Sequence, residues 1–123
     1  MSDKKILIAE DSPTMRRIIH NSLRTIGFQD VTEAENGQDA WQKLQDKQVD
    51  LVITDWNMPE MNGAQLVGKL RSSDQYKKTP IIMITTRGMK EDVFTAIKLG
   101  VNGYIVKPFS PDDLKTRIRE VMS

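Results

Sequence analysis

Apolar and polar positions fall in alternating blocks along the whole chain. The apolar runs Ile6-Leu7-Ile8-Ala9, Leu51-Val52-Ile53, Ile81-Ile82-Met83-Ile84 and Tyr104-Ile105-Val106 are separated by amphipathic stretches. Short, continuous, β-branched runs read as strands covered on both faces, as in a parallel sheet. Strands that alternate with helices define an α/β fold. The pattern predicts strands over 5–10, 31–34, 50–54, 80–85 and 103–106, and helices over 13–26, 37–46, 63–72, 90–99 and 111–121. The second strand, Val31-Thr32-Glu33-Ala34, is the least apolar and suits a sheet edge.

Helix ends carry their own chemistry. Ser12-Pro13 supplies an N-cap followed by proline at the first helical position. Ser110-Pro111 repeats the device, with Asp113 placed for a box-like cap. Gly27 and Gly100 follow their helices, as a left-handed C-cap requires. Leu114, Ile118 and Val121 form one stripe on the last helix, and Leu66, Val67 and Leu70 one on the third. Trp41 beside Ala40 and Leu44 reads as partial core on the second helix. His20 lies off the Met15, Ile19, Ser22 stripe and is expected at the surface. Arg16-Arg17 fits either a solvated helix face or a docking site, and the polar stretch from Ser72 to Thr79 fits a surface loop.

Composition narrows the classes. The 123 residues suit one domain, expected over 1–123 with no output domain after the fifth helix. Net charge is +1, with 28% charged residues and no basic block, so neither nucleic acid nor a membrane surface is indicated as a partner. There is no cysteine, which removes disulfides and thiol chemistry and fits a cytoplasmic protein. The apolar run after the polar N-terminus is too short for a signal peptide or a membrane span.

The candidate chemistry lies where the apolar runs stop. Glu10-Asp11, Asp55, Thr85 and Lys107 all fall at C-terminal ends of predicted strands, the edge where open α/β sheets bind ligands. Crowded carboxylates repel one another unless something neutralises them. Lys107 cancels one of three negative charges, and a divalent cation would cancel the other two. Hard oxygen ligands suit Mg²⁺. A carboxylate shielded in this way can act as a nucleophile and form an aspartyl phosphate. Asp55 is the candidate, because it ends the strand expected to be central. Phosphorylation adds charge and acceptor oxygens, for which Lys107 and the Thr85 hydroxyl are donors. Tyr104, on the neighbouring strand, is a second candidate moving part in an equilibrium that phosphate would bias.

Glu10-Asp11, Asp55-Trp56-Asn57-Met58-Pro59, Asn62-Gly63, Thr85, Tyr104 and Lys107-Pro108-Phe109, with Thr14-Met15-Arg16-Arg17-Ile18 on the first helix, carry a resemblance. The chain resembles the receiver domains of response regulators over nearly its whole length, and most closely their chemotaxis branch. The resemblance implies a flavodoxin-like, doubly wound, five-stranded parallel sheet in the order 2-1-3-4-5, for which this family is a standard instance. It implies that Asp55 accepts phosphate from a chemotaxis histidine kinase. Asp11, Asp55 and the Asn57 carbonyl would bind Mg²⁺, with Glu10 acting through water. Lys107 would contact the phosphate beside a cis bond to Pro108, an isomer accessible before proline. Thr85 and Tyr104 would form the switch. Lys90, Val93, Tyr104 and Arg117, on the fourth helix, fifth strand and fifth helix, would form an output face for a flagellar motor switch protein. The resemblance also implies a monomer, a phosphatase as a further partner, and no catalysis beyond the protein's own phosphorylation and dephosphorylation.

Two departures stand out. Glu10 replaces the commoner Asp, and its extra methylene should reach the metal's water shell. Thr86 stands where many relatives carry Ala or Gly, and its bulk is expected to slow hydrolysis of the acyl phosphate; Arg87 follows, with a charge that could tune the same lifetime. Rival readings are a phosphate carrier or sink in another phosphorelay, a flavodoxin-like cofactor binder, and a degenerate receiver used only as a surface. Against the cofactor binder, no glycine-rich loop follows the first strand, and Glu10-Asp11 would repel an anionic cofactor there.

Overall fold

The computed structural model describes residues 3–122. Its strands are β1 (Lys5–Ala9), β2 (Asp30–Ala34), β3 (Leu51–Thr54), β4 (Ile81–Thr85) and β5 (Gly103–Val106). Its helices are α1 (Pro13–Ile26), α2 (Gly37–Asp46), α3 (Gly63–Arg71), α4 (Lys90–Leu99) and α5 (Pro111–Met122). All pairings are parallel, and the sheet order is β2-β1-β3-β4-β5. The expected doubly wound order is therefore the observed one, and the predicted boundaries hold to within a residue or so.

Alternation along each strand divides the core into two layers. Ile6, Ile8, Leu51, Ile53, Ile82, Ile84 and Ile105 pack with Ile19 and Leu23 of α1 and Leu114 and Ile118 of α5. Leu7, Ala9, Val52, Ile81 and Met83 pack on the other side with Ala40 and Leu44 of α2, Leu66, Val67 and Leu70 of α3, and Ala96 of α4. Strands covered on both faces need apolar residues at every position, which is why β1, β3 and β4 read as unbroken runs. The weaker β2 lies at an edge, as expected.

The Ser12 hydroxyl accepts the Met15 N–H at 3.2 Å, and Ser110 and Asp113 exchange bonds of 3.0 Å each. Gly27 and Gly100 take φ of 123° and 111°, the region that glycine enters without penalty. Two expectations need correction. The stretch from Ser72 to Thr79 is not purely a surface loop, because Tyr76 is fully buried and the single proton of its hydroxyl is shared between the carbonyls of Leu44 (2.7 Å) and Lys47. His20 is not a free surface residue either: its Nδ1 lies 2.5 Å from Glu33, which Arg16 also holds at 3.0 Å. Arg16 in addition donates to the Glu10 carbonyl at 2.7 Å, so of the two arginines only Arg17 is left on an exposed face. Trp41 packs against the α2–α3 side of the core, as its sequence context indicates.

Candidate functional site

The strand order carries the distant sequence positions to one place. β1, β3, β4 and β5 are consecutive neighbours, with β3 at the centre of the sheet and β5 at one edge. Their C-terminal ends therefore present Glu10-Asp11, Asp55, Thr85 and Lys107 side by side. Carboxylate oxygens of Glu10, Asp11 and Asp55 lie within 4.8 Å of one another. The Lys107 ammonium bridges the two buried carboxylates, 2.8 Å from Glu10 Oε1 and 3.2 Å from Asp55 Oδ2.

Backbone groups hold these carboxylates in place. The Ser12 N–H donates to Glu10 Oε2 at 3.1 Å, and the Trp56 N–H to Asp55 Oδ1 at 2.6 Å. Behind Asp55, its carbonyl accepts from the Thr54 hydroxyl at 2.8 Å, and the Gly63 N–H donates to the Trp56 carbonyl at 2.7 Å. A Cβ at position 63 would come within 2.0 Å of the Asp55 carbonyl oxygen. The first residue of α3 must therefore be glycine for the helix to press against the Asp55 loop. Lys107-Pro108 is a cis peptide.

Burial and charge oppose each other here. Glu10 is 1% exposed, and burial raises its pKa; the bonds from Lys107 and Ser12 only partly offset this, and the charge of Asp55 adds to it. For Lys107 burial pulls the pKa down, but the bond to Glu10 and the charges of Asp55 and Glu10 outweigh it, and the net shift is upward. Asp11 is exposed, and so is Asn57, two residues past Asp55 in the chain. Three clustered carboxylates facing one ammonium form a hard-oxygen donor set with two uncompensated charges, which fits a divalent cation such as Mg²⁺.

Thr85 and Tyr104 meet on one residue. The Thr85 hydroxyl accepts the Arg87 N–H at 3.3 Å, and the Tyr104 hydroxyl donates to the Arg87 carbonyl at 2.6 Å. Thr85 is fully buried, whereas Thr86 is exposed. Trp56 is 7% exposed; it both borders Asp55 and belongs to the core.

A model of the response regulator receiver domain matches residues 6–119. The chain is a response regulator receiver domain. Over 120 residues this receiver is 57% identical to chemotaxis protein CheY1 of Helicobacter pylori (strain ATCC 700392 / 26695), a match covering 96% of each chain. It is 54% identical over 119 residues to a chemotaxis protein CheY homolog of Campylobacter jejuni, covering 96% of this chain and 92% of that one. Among solved structures, Vibrio cholerae chemotaxis response regulator CheY4 superposes with a TM-score of 0.89 at 36% identity, covering 96% of this chain and 98% of that one. The receiver domain of sensor histidine kinase PA1611 from Pseudomonas aeruginosa PAO1, solved with a magnesium ion coordinated in its active site cleft, superposes with a TM-score of 0.87 at 26% identity and 98% coverage of both chains. The receiver is thus of the CheY-like chemotaxis kind. Receiver domains bind Mg²⁺ at an acidic site, and Glu10, Asp11 and Asp55 form such a cluster in this one.

The face expected from Lys90, Val93, Tyr104 and Arg117 is more apolar than those residues convey. Lys90 is exposed, while Val93 and Arg117 are half-buried. Arg117 donates to Glu120 at 2.8 Å, and its stem lies against Gly103. Around them Met89 is 65% exposed, Phe94 61%, Ile97 58% and Val106 43%. The sequence reading missed these four. The signal was present in α4, where Val93, Phe94, Ile97 and Leu99 are too many apolar positions for one buried stripe.

Proposed function

We propose that this receiver is a phosphorylated chemotaxis switch of the cytoplasm, charged on Asp55 by a histidine kinase and cleared with or without a phosphatase. The observation that carries the reading is the Lys107 ammonium set between Glu10 and Asp55 beside the exposed Asp11. Mg²⁺, held by Asp11, Asp55 and the Asn57 carbonyl with Glu10 behind it, would neutralise the carboxylates and admit an anionic phosphodonor. An Asp55 oxygen attacks phosphorus, the N–P bond of the phosphohistidine breaks, and its electron pair returns to the imidazole. Lys107 is within reach of the new phosphoryl oxygens. The Thr85 hydroxyl accepts from Arg87 but keeps its own proton to donate, so it can serve phosphate without releasing the loop. Movement of Thr85 then drags residue 87, and with it the hydroxyl partner of Tyr104.

The output of this switch is the face of α4, β5 and α5, with Lys90, Val93, Tyr104 and Arg117 set among the exposed apolar residues, and its target is a flagellar motor switch protein. Exposed apolar side chains grouped on one face mark a protein-binding surface, which favours this output over a phosphate carrier. Intact mass after incubation with acetyl phosphate and Mg²⁺ tests the chemistry. One phosphoryl adduct is expected, absent in Asp55→Asn and without metal. No adduct, together with no binding of beryllofluoride, would overturn it. Thr86→Ala should shorten the lifetime of the adduct; an unchanged lifetime removes Thr86 from that role.

A further inference from the structure

The mechanism above uses the main chain of Arg87 and leaves its side chain without a role. That side chain is unusual in what it joins. The guanidinium lies over the Trp56 ring, 4.4 Å from the ring centre, and 3.6 Å from the Asp92 carboxylate. Trp56 follows Asp55 directly, and its N–H is bonded to the Asp55 carboxylate at 2.6 Å. Asp92 lies in the first turn of α4. One cation therefore touches the phosphoacceptor loop on one side and the start of the output helix on the other. Its backbone is held independently by Thr85 and Tyr104.

The first turn of α4 has little else to hold it. Met89 occupies the N-cap and makes no side-chain cap bond. Ala96 is the only buried residue of the helix, and it lies in the second half. Planar guanidinium groups suit such a double contact, because one face stacks on an indole while the edge donates to a carboxylate.

We propose that the Arg87 side chain is a positioning residue that couples the state of Asp55 to α4, through Trp56 on one side and Asp92 on the other. The inference rests on the phosphoacceptor reading above and adds a route for its signal. When the Asp55 loop or Thr85 shifts, the guanidinium carries the displacement to Asp92 and turns the start of α4. Energetic coupling of this kind needs a contiguous set of contacts with two arrangements. Here the set is Trp56, Arg87 and Asp92.

The test uses the whole chain with Mg²⁺ and beryllofluoride, a phosphoryl analogue that is not hydrolysed, and follows backbone amide signals by NMR. The parent should shift at residues 55–57, 85–87 and 90–99. In Arg87→Ala and Arg87→Met, shifts at 55–57 should persist while those at 90–99 shrink several-fold. Arg87→Lys, which keeps a cation over the ring, should recover part of the α4 response, and Asp92→Asn should lower it as Arg87→Met does. Loss of packing alone would leave Arg87→Met, with its retained apolar stem, close to the parent. A full α4 response in Arg87→Ala would overturn the coupling and leave the phosphoacceptor reading intact. No response anywhere in the parent would overturn both.

Discussion

Helices α3 and α4 lie on the same face of the sheet, yet they are held in opposite ways. α3 starts with a reciprocal capping box, in which Asn62 accepts from the Gln65 N–H at 2.8 Å and Gln65 accepts from the Asn62 N–H at 2.9 Å. It then buries Gly63, Leu66, Val67 and Leu70. α4 starts at Met89 with no side-chain cap, buries only Ala96, and leaves Phe94 and Ile97 in solvent. The helix that fixes the Asp55 loop is thus anchored along its length. The helix that carries the proposed output is weakly held at the end nearest the site. Regions that move are drawn from the less stable parts of a fold, so this contrast is a physical condition for a switch.

The largest test of the contrast compares truncations. Leu66 is fully buried, and Leu66→Ala should cost about 2–5 kcal/mol, the transfer loss plus the cavity. Phe94 is 61% exposed, and Phe94→Ala should change stability by no more than about 0.5 kcal/mol despite its greater size. Urea unfolding with an unchanged m-value reads both. Comparable losses would mean that α4 is anchored after all.

The second test sharpens where α4 is loose. Arg71, the last residue of α3, donates to the Gly100 carbonyl at 3.0 and 2.8 Å, just past the C-terminal end of α4. Its other bonds reach the carbonyls of Tyr76, Lys77 and Thr79 and the Asn102 side chain. α4 is therefore tied at its far end by α3 and can pivot at its near end. Arg71→Met leaves several of these carbonyls without their donor and should cost about 1–3 kcal/mol. Amide hydrogen exchange should rise around residues 76–79 and 100–102 and stay unchanged at 90–93. A rise confined to 90–93 would place the tether at the wrong end.

The contrast also explains what could be read in advance. The sheet was legible because β1, β3 and β4 are buried on both faces and so are apolar throughout. Glu10-Asp11, Asp55 and Lys107 were legible because charge appears abruptly where those runs stop. Arg71 and Tyr76 were not, because their partners lie far away in the chain: Arg71 bonds Gly100 and Tyr76 bonds Leu44, and no periodicity encodes such pairings. His20 was missed for the same reason, since its partner Glu33 comes from a different element. The Asn62 cap differs, because Asn62 with Gln65 three positions later is a readable signal. The partial anchoring of α4 was also readable in its surplus of apolar positions, although which of them face solvent depends on tertiary packing.

The third test exchanges the caps. Asn62→Ala should cost about 0.5–2 kcal/mol. Met89 already has the extended backbone of an N-cap, with φ −74° and ψ 150°, so Met89→Ser should gain up to about 1 kcal/mol. Tightening that end should also reduce the movement of α4 on beryllofluoride binding, seen in the same amide signals. A stabilised variant with undiminished movement would separate the missing cap from the switch.

The smallest test uses pH and compares the two tyrosines that serve the two helices. Tyr76 anchors the segment after α3, and Tyr104 bonds the loop before α4. Burial raises the pKa of both, and the charge of Asp92 raises Tyr104 further. An acid whose folded pKa lies above its unfolded value favours folding while it is neutral. That contribution is complete below the unfolded value of about 10 and is lost as pH rises through the folded value. Lys107, also raised, loses its contribution in the same direction, but it does so in every variant and cancels from the comparison. The urea midpoint should therefore fall between neutral and strongly alkaline pH, less so in Tyr76→Phe and in Tyr104→Phe. Tyr76→Phe should also lower stability at neutral pH, because the fully buried hydroxyl that it removes serves the Leu44 and Lys47 carbonyls. If Tyr104→Phe leaves the profile as steep as the parent's, the neutral Tyr104 phenol and its bond to the Arg87 carbonyl contribute nothing to holding the loop before α4.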